Sequence, residues 1–113
     1  DQLIDDQYKG KENLLPIYKS LISFLKTLGS DVTITPKKTS VSIIRKKQFV
    51  LIKPAAKTRI DLGLKLHDEK FGTRLENSGP FGTMCTHRIK ISQMEEIDEE
   101  LKNWLRKAYN QSV

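Results

Sequence analysis

Residues 36–65 read PKKTSVSIIRKKQFVLIKPAAKTRIDLGLK, and this stretch decides the fold because short runs of apolar residues recur at strand-like spacing. In its last third, apolar side chains occupy every second position from 60 to 66. Such alternation is typical of a strand that buries one face and exposes the other. The runs follow one another closely, which favours antiparallel hairpins. The stretch therefore predicts a β-meander.

Working outward, the same criteria predict five strands, at 32–35, 39–45, 48–53, 58–66 and 86–91. The register of the hairpin around Lys46 and Lys47 can be read in two ways. A two-residue loop places Ile44 opposite Phe49, whereas a three-residue loop places Ile43 opposite Phe49. The second register is preferred because it gives a fuller buried face, made of Val41, Ile43, Phe49 and Leu51.

Helical patterns flank the strands. Residues 13–28 carry apolar side chains on one helical stripe, and residues after 92 repeat that pattern behind Ser92 and Glu95, which match the S-x-x-E capping box. The order predicts an α+β fold with an N-terminal helix, an antiparallel sheet of about five strands, and a C-terminal helix packed on one sheet face. Residues 67–84 lack a sustained period and form a long connection, a candidate ligand-contacting segment.

Length and composition bound the protein class. A chain of 113 residues, 37% of them apolar, suits one globular domain, which we place at 13–113, with 1–12 as a linker from an upstream module. No apolar run approaches the roughly 20 residues of a membrane-spanning helix, so no membrane partner is expected. The acidic, polar start does not resemble a secretory signal, and a lone cysteine cannot form an internal disulfide. Both features favour the cytoplasm.

Charge is the most suggestive functional feature. Residues 36–65 contain nine Lys or Arg and a single acid, Asp61, while the formal net charge of the chain is +6. A local excess of this kind gathers phosphates or acidic partners, which suggests nucleic acid or a nucleotide as the ligand. The alternative is that the lysines only keep strand edges from pairing. The predicted anion-binding residues are Lys37, Lys38, Arg45, Lys46, Lys47, Lys53, Arg59 and Arg88. Exposed aromatics for base stacking would be Phe71 and Phe81 of the long connection.

Catalytic signals are weak. Cys85 and His87 are two positions apart and are predicted to share a strand face, so a nucleophilic pair is conceivable, with Asp61 as a third group. The favoured interpretation places His87 in the core and pairs Asp61 with basic neighbours such as Arg59. One Cys and two distant His residues give no metal-ligand spacing, and no cofactor motif is present. The leading hypothesis is thus a non-enzymatic binding module rather than an enzyme.

A protein-interaction or dimerisation module is the second hypothesis. In the preferred hairpin register, Ile44, Val50 and Ile52 point away from the core. Apolar side chains on both faces of a sheet need a cover, which a protein partner or a second copy of the chain would supply.

Six phrases of the sequence carry a family resemblance, in order: LLPIYKSLI, PKKTSVSIIRKKQFVLIKP, TRIDLGLKL, GTRLE, MCTHRIKI and IDEELKNWLRKAY. They resemble a bacterial family called domain of unknown function 5655, sometimes labelled "predicted transport protein". The chain looks most like a subgroup in which domain of unknown function 4287 comes first, which is consistent with a linker at 1–12. The resemblance implies no established activity. Relatives joined to restriction-type proteins suggest, by analogy, a nucleic-acid setting.

Overall fold

A computed structural model describes residues 1–113. Its helices are α1 (Gln2–Gln7), α2 (Leu15–Lys26) and α3 (Glu99–Gln111). Its strands are β1 (Thr33–Pro36), β2 (Val41–Arg45), β3 (Lys47–Ala56), β4 (Arg59–Leu64), β5 (Glu76–Asn77) and β6 (His87–Ile91). Short 3-10 helices occupy Glu12–Leu14, Gly79–Met84 and Met94–Glu96.

The strands form one sheet in the order β1-β2-β3-β4-β6-β5, with every neighbouring pair antiparallel. The predicted α+β fold is therefore confirmed, and each of the five predicted strands is present with slightly different ends. A sixth strand, β5, lies inside the long connection and pairs with the start of β6. Two residues are too few for any periodicity, which is why the sequence did not indicate it.

The main core lies between one face of the sheet and the helices. Leu21 and Leu25 of α2 and Leu105 of α3 are fully buried there against strand residues such as Ile52 and Leu62. Burial on this scale is the main favourable term in the folding of a small domain. The two longer helices thus pack on one sheet face, as predicted, and we call it the helical face.

The long connection covers the opposite face of the sheet. Phe81 and Cys85 pack there against Leu51 of β3 in a separate small cluster. Gly63 of β4 lies directly beneath them, so closely that a Cβ at this position would overlap Cys85 Sγ and the Phe81 ring. Phe81 is only 8% exposed, so its predicted role as an exposed aromatic is wrong. We call this side the covered face.

The β2–β3 register differs from the preferred prediction. Ile43 lies opposite Val50 rather than Phe49, and a bulge between Ile43 and Ile44 leaves Phe49 without a partner across the hairpin. Leu51 consequently faces the covered side, while Val50 and Ile52 enter the main core. A bulge adds one residue to one strand and reverses the facing of everything beyond it, and simple alternation cannot detect this.

The start of α3 also differs from the prediction. Glu96, not Glu95, accepts the Ser92 and Gln93 amides at 2.8 and 3.0 Å, and it does so around a 3-10 turn. The N-cap of α3 is Asp98, whose carboxylate accepts the Leu101 amide at 3.0 Å. The Ser92–Glu95 box is therefore wrong, because the chain makes an extra turn before the helix begins.

The first 12 residues do more than join two modules. Residues 2–7 form α1, and the side chain of Tyr8 is completely buried beside Tyr18, with their ring centroids 5.3 Å apart. Gln7 donates to the carbonyl oxygens of Lys37 and Ser40 at 2.7 and 3.0 Å. The folded unit therefore includes this segment, and an upstream module remains a prediction.

The longest helix, α3, has 13 residues, and no helix of the structure has both the length and the apolar composition needed to cross a bilayer.

Candidate functional site

The basic residues predicted as one surface are divided among three places. Antiparallel pairing puts the β2–β3 turn, with Lys46 and Lys47, at one end of the sheet, which we call the Lys46 end. The β1–β2 turn, with Lys37 and Lys38, lies at the opposite end, on the order of 15 Å away at about 3.3 Å per strand residue. Arg59 and Arg88 lie on the covered face, while Arg45 extends from the Lys46 end towards α3. A single ligand group cannot contact all of them.

Arg45 is committed to structural contacts. Its Nε donates to Asp31 at 2.9 Å, its Nη1 donates to the Tyr109 carbonyl oxygen at 2.9 Å, and its guanidinium lies 4.1 Å from the Tyr109 ring centroid. The Tyr109 hydroxyl also donates to Asp31. This hydrogen bond is the main cause that lowers the pKa of the Asp31 carboxyl, and Arg45 makes a smaller contribution in the same direction. Arg45 joins β2 to α3 and has little capacity left for a ligand.

Asp61 forms the centre of a buried ion cluster on the covered face. Its side chain is 1% exposed and accepts from Arg59 Nε at 2.9 Å and from Arg88 Nη1, across the strands, at 3.4 Å. Arg88 itself is only 14% exposed and lies under the backbone of Gly79. The ion pair predicted for Asp61 is confirmed. Arg59 and Arg88 mainly compensate this carboxylate, as a buried charge requires.

His87 is sealed in the structure at 3% exposure. Its Nε2 lies 3.0 Å from the Glu69 carbonyl oxygen and its Nδ1 lies 2.6 Å from the Thr86 hydroxyl. A carbonyl oxygen only accepts, so Nε2 carries a hydrogen that it donates to Glu69, while Nδ1 is in hydrogen-bond contact with the Thr86 hydroxyl. Both ring nitrogens are therefore occupied, and His87 has no lone pair available for a substrate proton or a metal.

Cys85 does not lie on the same face as His87, so that prediction is wrong. Its thiol belongs to the covered-face cluster, whereas His87 pairs with Leu64 and follows the helical face. The strand begins only at His87, so alternation cannot be extended back to Cys85. Burial raises the pKa of the Cys85 thiol to about 11, which keeps it protonated and weakly nucleophilic. Cys85, His87 and Asp61 form no catalytic constellation, and no group of three or more His, Cys, Asp or Glu is arranged to hold a metal ion.

The apolar surface predicted for a protein partner is also absent from the sheet. Val50 and Ile52 are completely buried in the main core, and Ile44 is half-buried. The premise of the dimerisation hypothesis came from the incorrect hairpin register.

A pocket of about 220 Å³ opens at the Lys46 end, between the ends of β3 and β4 and the last turn of α3. Two lysines and a histidine contribute its polar rim, together with two amide side chains. The lining residues are Lys47, Gln48, Phe49, Lys65, His67, Ala108, Gln111, Ser112 and Val113. None of them is aspartate or glutamate, so the pocket presents donors and positive charge.

Local hydrogen bonds fix the walls of this pocket. The Lys65 amide donates to the Phe49 carbonyl oxygen at 3.1 Å, which extends the β3–β4 pairing beyond the end of β4. The His67 amide donates to Gln111 Oε1 at 2.9 Å. The Ser112 hydroxyl lies 2.6 Å from the Arg45 carbonyl oxygen and 3.1 Å from that of Lys47. The end of α3 is thus tied to both strands.

The charges of this pocket are uncompensated. Neither Lys47 nor Lys65 forms an ion pair, in contrast to Arg45, Arg59 and Arg88. Ammonium and imidazole groups with amide donors are the chemistry that holds a phosphate or carboxylate oxygen.

Sequence reasoning named only Lys47 among the polar lining residues as an anion-binding residue, although His67 begins the connection that was predicted to contact a ligand. Lys65 and His67 could have been found, because antiparallel pairing of β3 with β4 brings the end of β4 to the start of β3. Gln111 carried no signal, since only the docking of α3 brings it there.

Comparison with known proteins gives a family and nothing finer. No curated protein and no solved structure matches the chain. One family model does, described as Domain of unknown function (DUF5655), over residues 4–112, which is nearly the whole chain and includes α1 and α3. The predicted resemblance is therefore confirmed at the level of the domain family: the chain belongs to the family Domain of unknown function (DUF5655).

Proposed function

We propose that this domain is a binding module that holds an anionic group of its ligand in the pocket at the Lys46 end, and that the group is a phosphate of a nucleic acid. The observation that supports it is the pair Lys47 and Lys65, which border a pocket without Asp or Glu and have no carboxylate partner. Elsewhere in the structure, arginines of the predicted surface are already neutralised.

The size of the pocket favours a nucleic acid over a free nucleotide. Sites that enclose a whole small molecule usually measure about 300–1,000 Å³. A pocket of about 220 Å³ accommodates one phosphate group more readily than a complete nucleotide. The remainder of the ligand would therefore lie on the surrounding surface, where Lys46 adds a further exposed cation. A polymer of phosphates satisfies both requirements.

Charge reversal tests this proposal. The variant Lys47→Glu with Lys65→Glu should bind labelled DNA or RNA at least about 10-fold more weakly, and its salt dependence should flatten by about 1.4 in the log–log slope for a single strand. Fluorescence anisotropy across a salt series measures both quantities. The physical reason is that two phosphate contacts, with their released counterions, are lost.

The matched control is Lys37→Glu with Lys38→Glu, which makes the same change in net charge at the opposite end of the sheet. It should alter affinity much less than the pocket variant. Equal losses in both variants would show that only overall charge matters, and absence of binding by the unaltered domain at low salt would overturn the proposal. Circular dichroism establishes that each variant is folded, and Lys47→Gln with Lys65→Gln provides a milder pair.

A further inference from the structure

The Lys46 end also gathers exposed apolar side chains. Five large hydrophobic residues are exposed in the whole structure, and three of them, Phe71, Met84 and Val113, lie at or near this end. Val113 lines the pocket itself, while Met84 lies two residues before Thr86, whose amide donates to the Leu64 carbonyl oxygen at the end of β4. Free cations and apolar groups therefore occur together here.

Phe71 is the aromatic member of this group and is 65% exposed. Its ring centroid lies 4.9 Å from that of His87, at an interplanar angle of 47°. His87 pairs with Leu64, the residue before Lys65. Neighbouring strands lie about 5 Å apart, so the Phe71 ring is on the order of 10 Å from the backbone of Lys65. One side of the ring leans on His87, and most of its surface faces solvent.

The segment that carries Phe71 is held at both ends. On one side, the Glu69 carbonyl oxygen accepts from His87 Nε2 and its carboxylate accepts from Lys107 at 2.6 Å. On the other side, Arg74 Nη1 donates to Asp98 and Glu100 at 2.9 Å. The exposed ring is thus presented from a fixed loop, so little conformational entropy would be lost when a ligand contacts it.

From this placement we propose that the nucleic acid bound at the Lys46 end is single-stranded, with one phosphate in the Lys47 and Lys65 pocket and a neighbouring base on the Phe71 ring. This inference rests on the proposed function and extends it from a charge to a ligand geometry. Sites for single strands combine a cationic track with exposed aromatic rings, because each base offers a π-face. In a duplex the bases are stacked on one another, so the ring would have no partner. An anionic lipid surface fits less well, because membrane-surface binding needs a contiguous apolar face.

The test compares three probes on the same domain: a single-stranded oligonucleotide of about 12 nucleotides, the corresponding duplex, and inorganic polyphosphate. Phe71→Ala should weaken the single strand about 10-fold, leave polyphosphate unchanged, and abolish most of the preference for single strand over duplex. Phe71→Tyr should retain binding, because it keeps the ring. Leu3→Ala is the matched control, since Leu3 is an exposed apolar residue of α1 and is 41% exposed.

The outcomes separate this inference from the proposed function. If the pocket variant weakens all polyanions while Phe71→Ala binds the single strand as well as the unaltered domain, the stacking inference is overturned and the phosphate pocket stands. Equal affinity of the unaltered domain for duplex and single strand also overturns it. If vesicles containing phosphatidylserine bind more tightly than the oligonucleotide and lose binding on Phe71→Ala, the surface is a lipid site and the inference fails. Loss of single-strand binding in both variants, with polyphosphate affected only by the pocket variant, supports it.

Discussion

Asp61 is a residue that the sequence alone presents as a candidate catalytic carboxylate and that the fold uses as a buried ion-pair partner. It is the only acid among the nine Lys and Arg of residues 36–65, and a lone carboxylate among cations is a candidate for a catalytic role. In the structure its two oxygens accept from Arg59 and Arg88, and it has almost no solvent contact. The carboxylate compensates two guanidinium groups that the covered face has partly removed from water.

Removal of this carboxylate should be costly. We expect Asp61→Ala to lower the free energy of unfolding by about 3 kcal/mol, because it leaves the mostly buried Arg88 guanidinium with only Glu76, 3.7 Å from its Nη2, as a counter-ion. Arg88 Nε already lacks a hydrogen-bond partner, and the substitution would also remove the acceptor of Arg88 Nη1. Urea unfolding followed by circular dichroism measures the change. Glu95→Ala, at an exposed and unpaired acid, should stay within about 0.5 kcal/mol. A loss below about 1 kcal/mol for Asp61→Ala would show that the cluster contributes little.

At the scale of elements, the β2–β3 hairpin determines which side chains reach each face. Its bulge sends Val50 and Ile52 into the main core and Leu51 to the covered face. The turn places Lys46 at φ 60°, a left-handed conformation that is unfavourable for a residue with a Cβ. The hairpin therefore contains local backbone strain at Lys46. The same turn keeps Lys46 and Lys47 exposed at one end of the sheet.

Relief of that strain is measurable. Lys46→Gly should raise the free energy of unfolding by about 0.5–1 kcal/mol, because glycine adopts positive φ without a steric penalty. Lys47→Gly removes the same charge from an extended strand position, and it should lower stability by a similar amount. Thermal unfolding of the two variants under one set of conditions gives the comparison. Destabilisation by both substitutions would contradict the left-handed turn.

At the scale of the whole molecule, the two faces of the sheet are covered by different kinds of structure, helices on one face and an irregular connection on the other. Helices α2 and α3, together with the Tyr8 side chain, cover one face. The connection around Phe81 and Cys85 covers part of the other face. The arginines on the covered face are paired with carboxylates, whereas the lysines at the Lys46 end border a pocket that contains no carboxylate side chain. This division, rather than the net charge of +6, directs attention to one end of the sheet.

The extent of the folded unit can be tested at Tyr8. Tyr8→Ala should lower the free energy of unfolding by about 3 kcal/mol, because it empties a fully buried aromatic site in the main core. The Tyr8 hydroxyl is buried without a hydrogen-bond partner, so Tyr8→Phe should instead raise stability by about 1 kcal/mol. Urea unfolding of the two variants checks both signs. If residues 1–12 acted only as a linker, neither substitution would change the stability.

The α+β class, five of the six strands and both longer helices could be predicted from the sequence, because burial of one face imposes a period that local composition reveals. Features that depend on a single residue or on two residues could not: the bulge at Phe49, the two-residue strand β5 and the true cap at Asp98. Each of these is decided by tertiary packing, which alternation and capping motifs do not record.

By itself, the sequence determined the family, through the phrases that resemble it. It also determined the order of elements and the basic excess of residues 36–65, which are properties of periodicity and composition. Only the tertiary structure decided which charges are available. Arg45 and Arg88 found carboxylates through long-range contacts and Arg59 found one two residues away, while Lys47 and Lys65 were brought together beside the end of α3. The physical reason is that compensation of a charge depends on neighbours within about 4 Å in space, and for Arg45 and Arg88 these neighbours are distant in the chain.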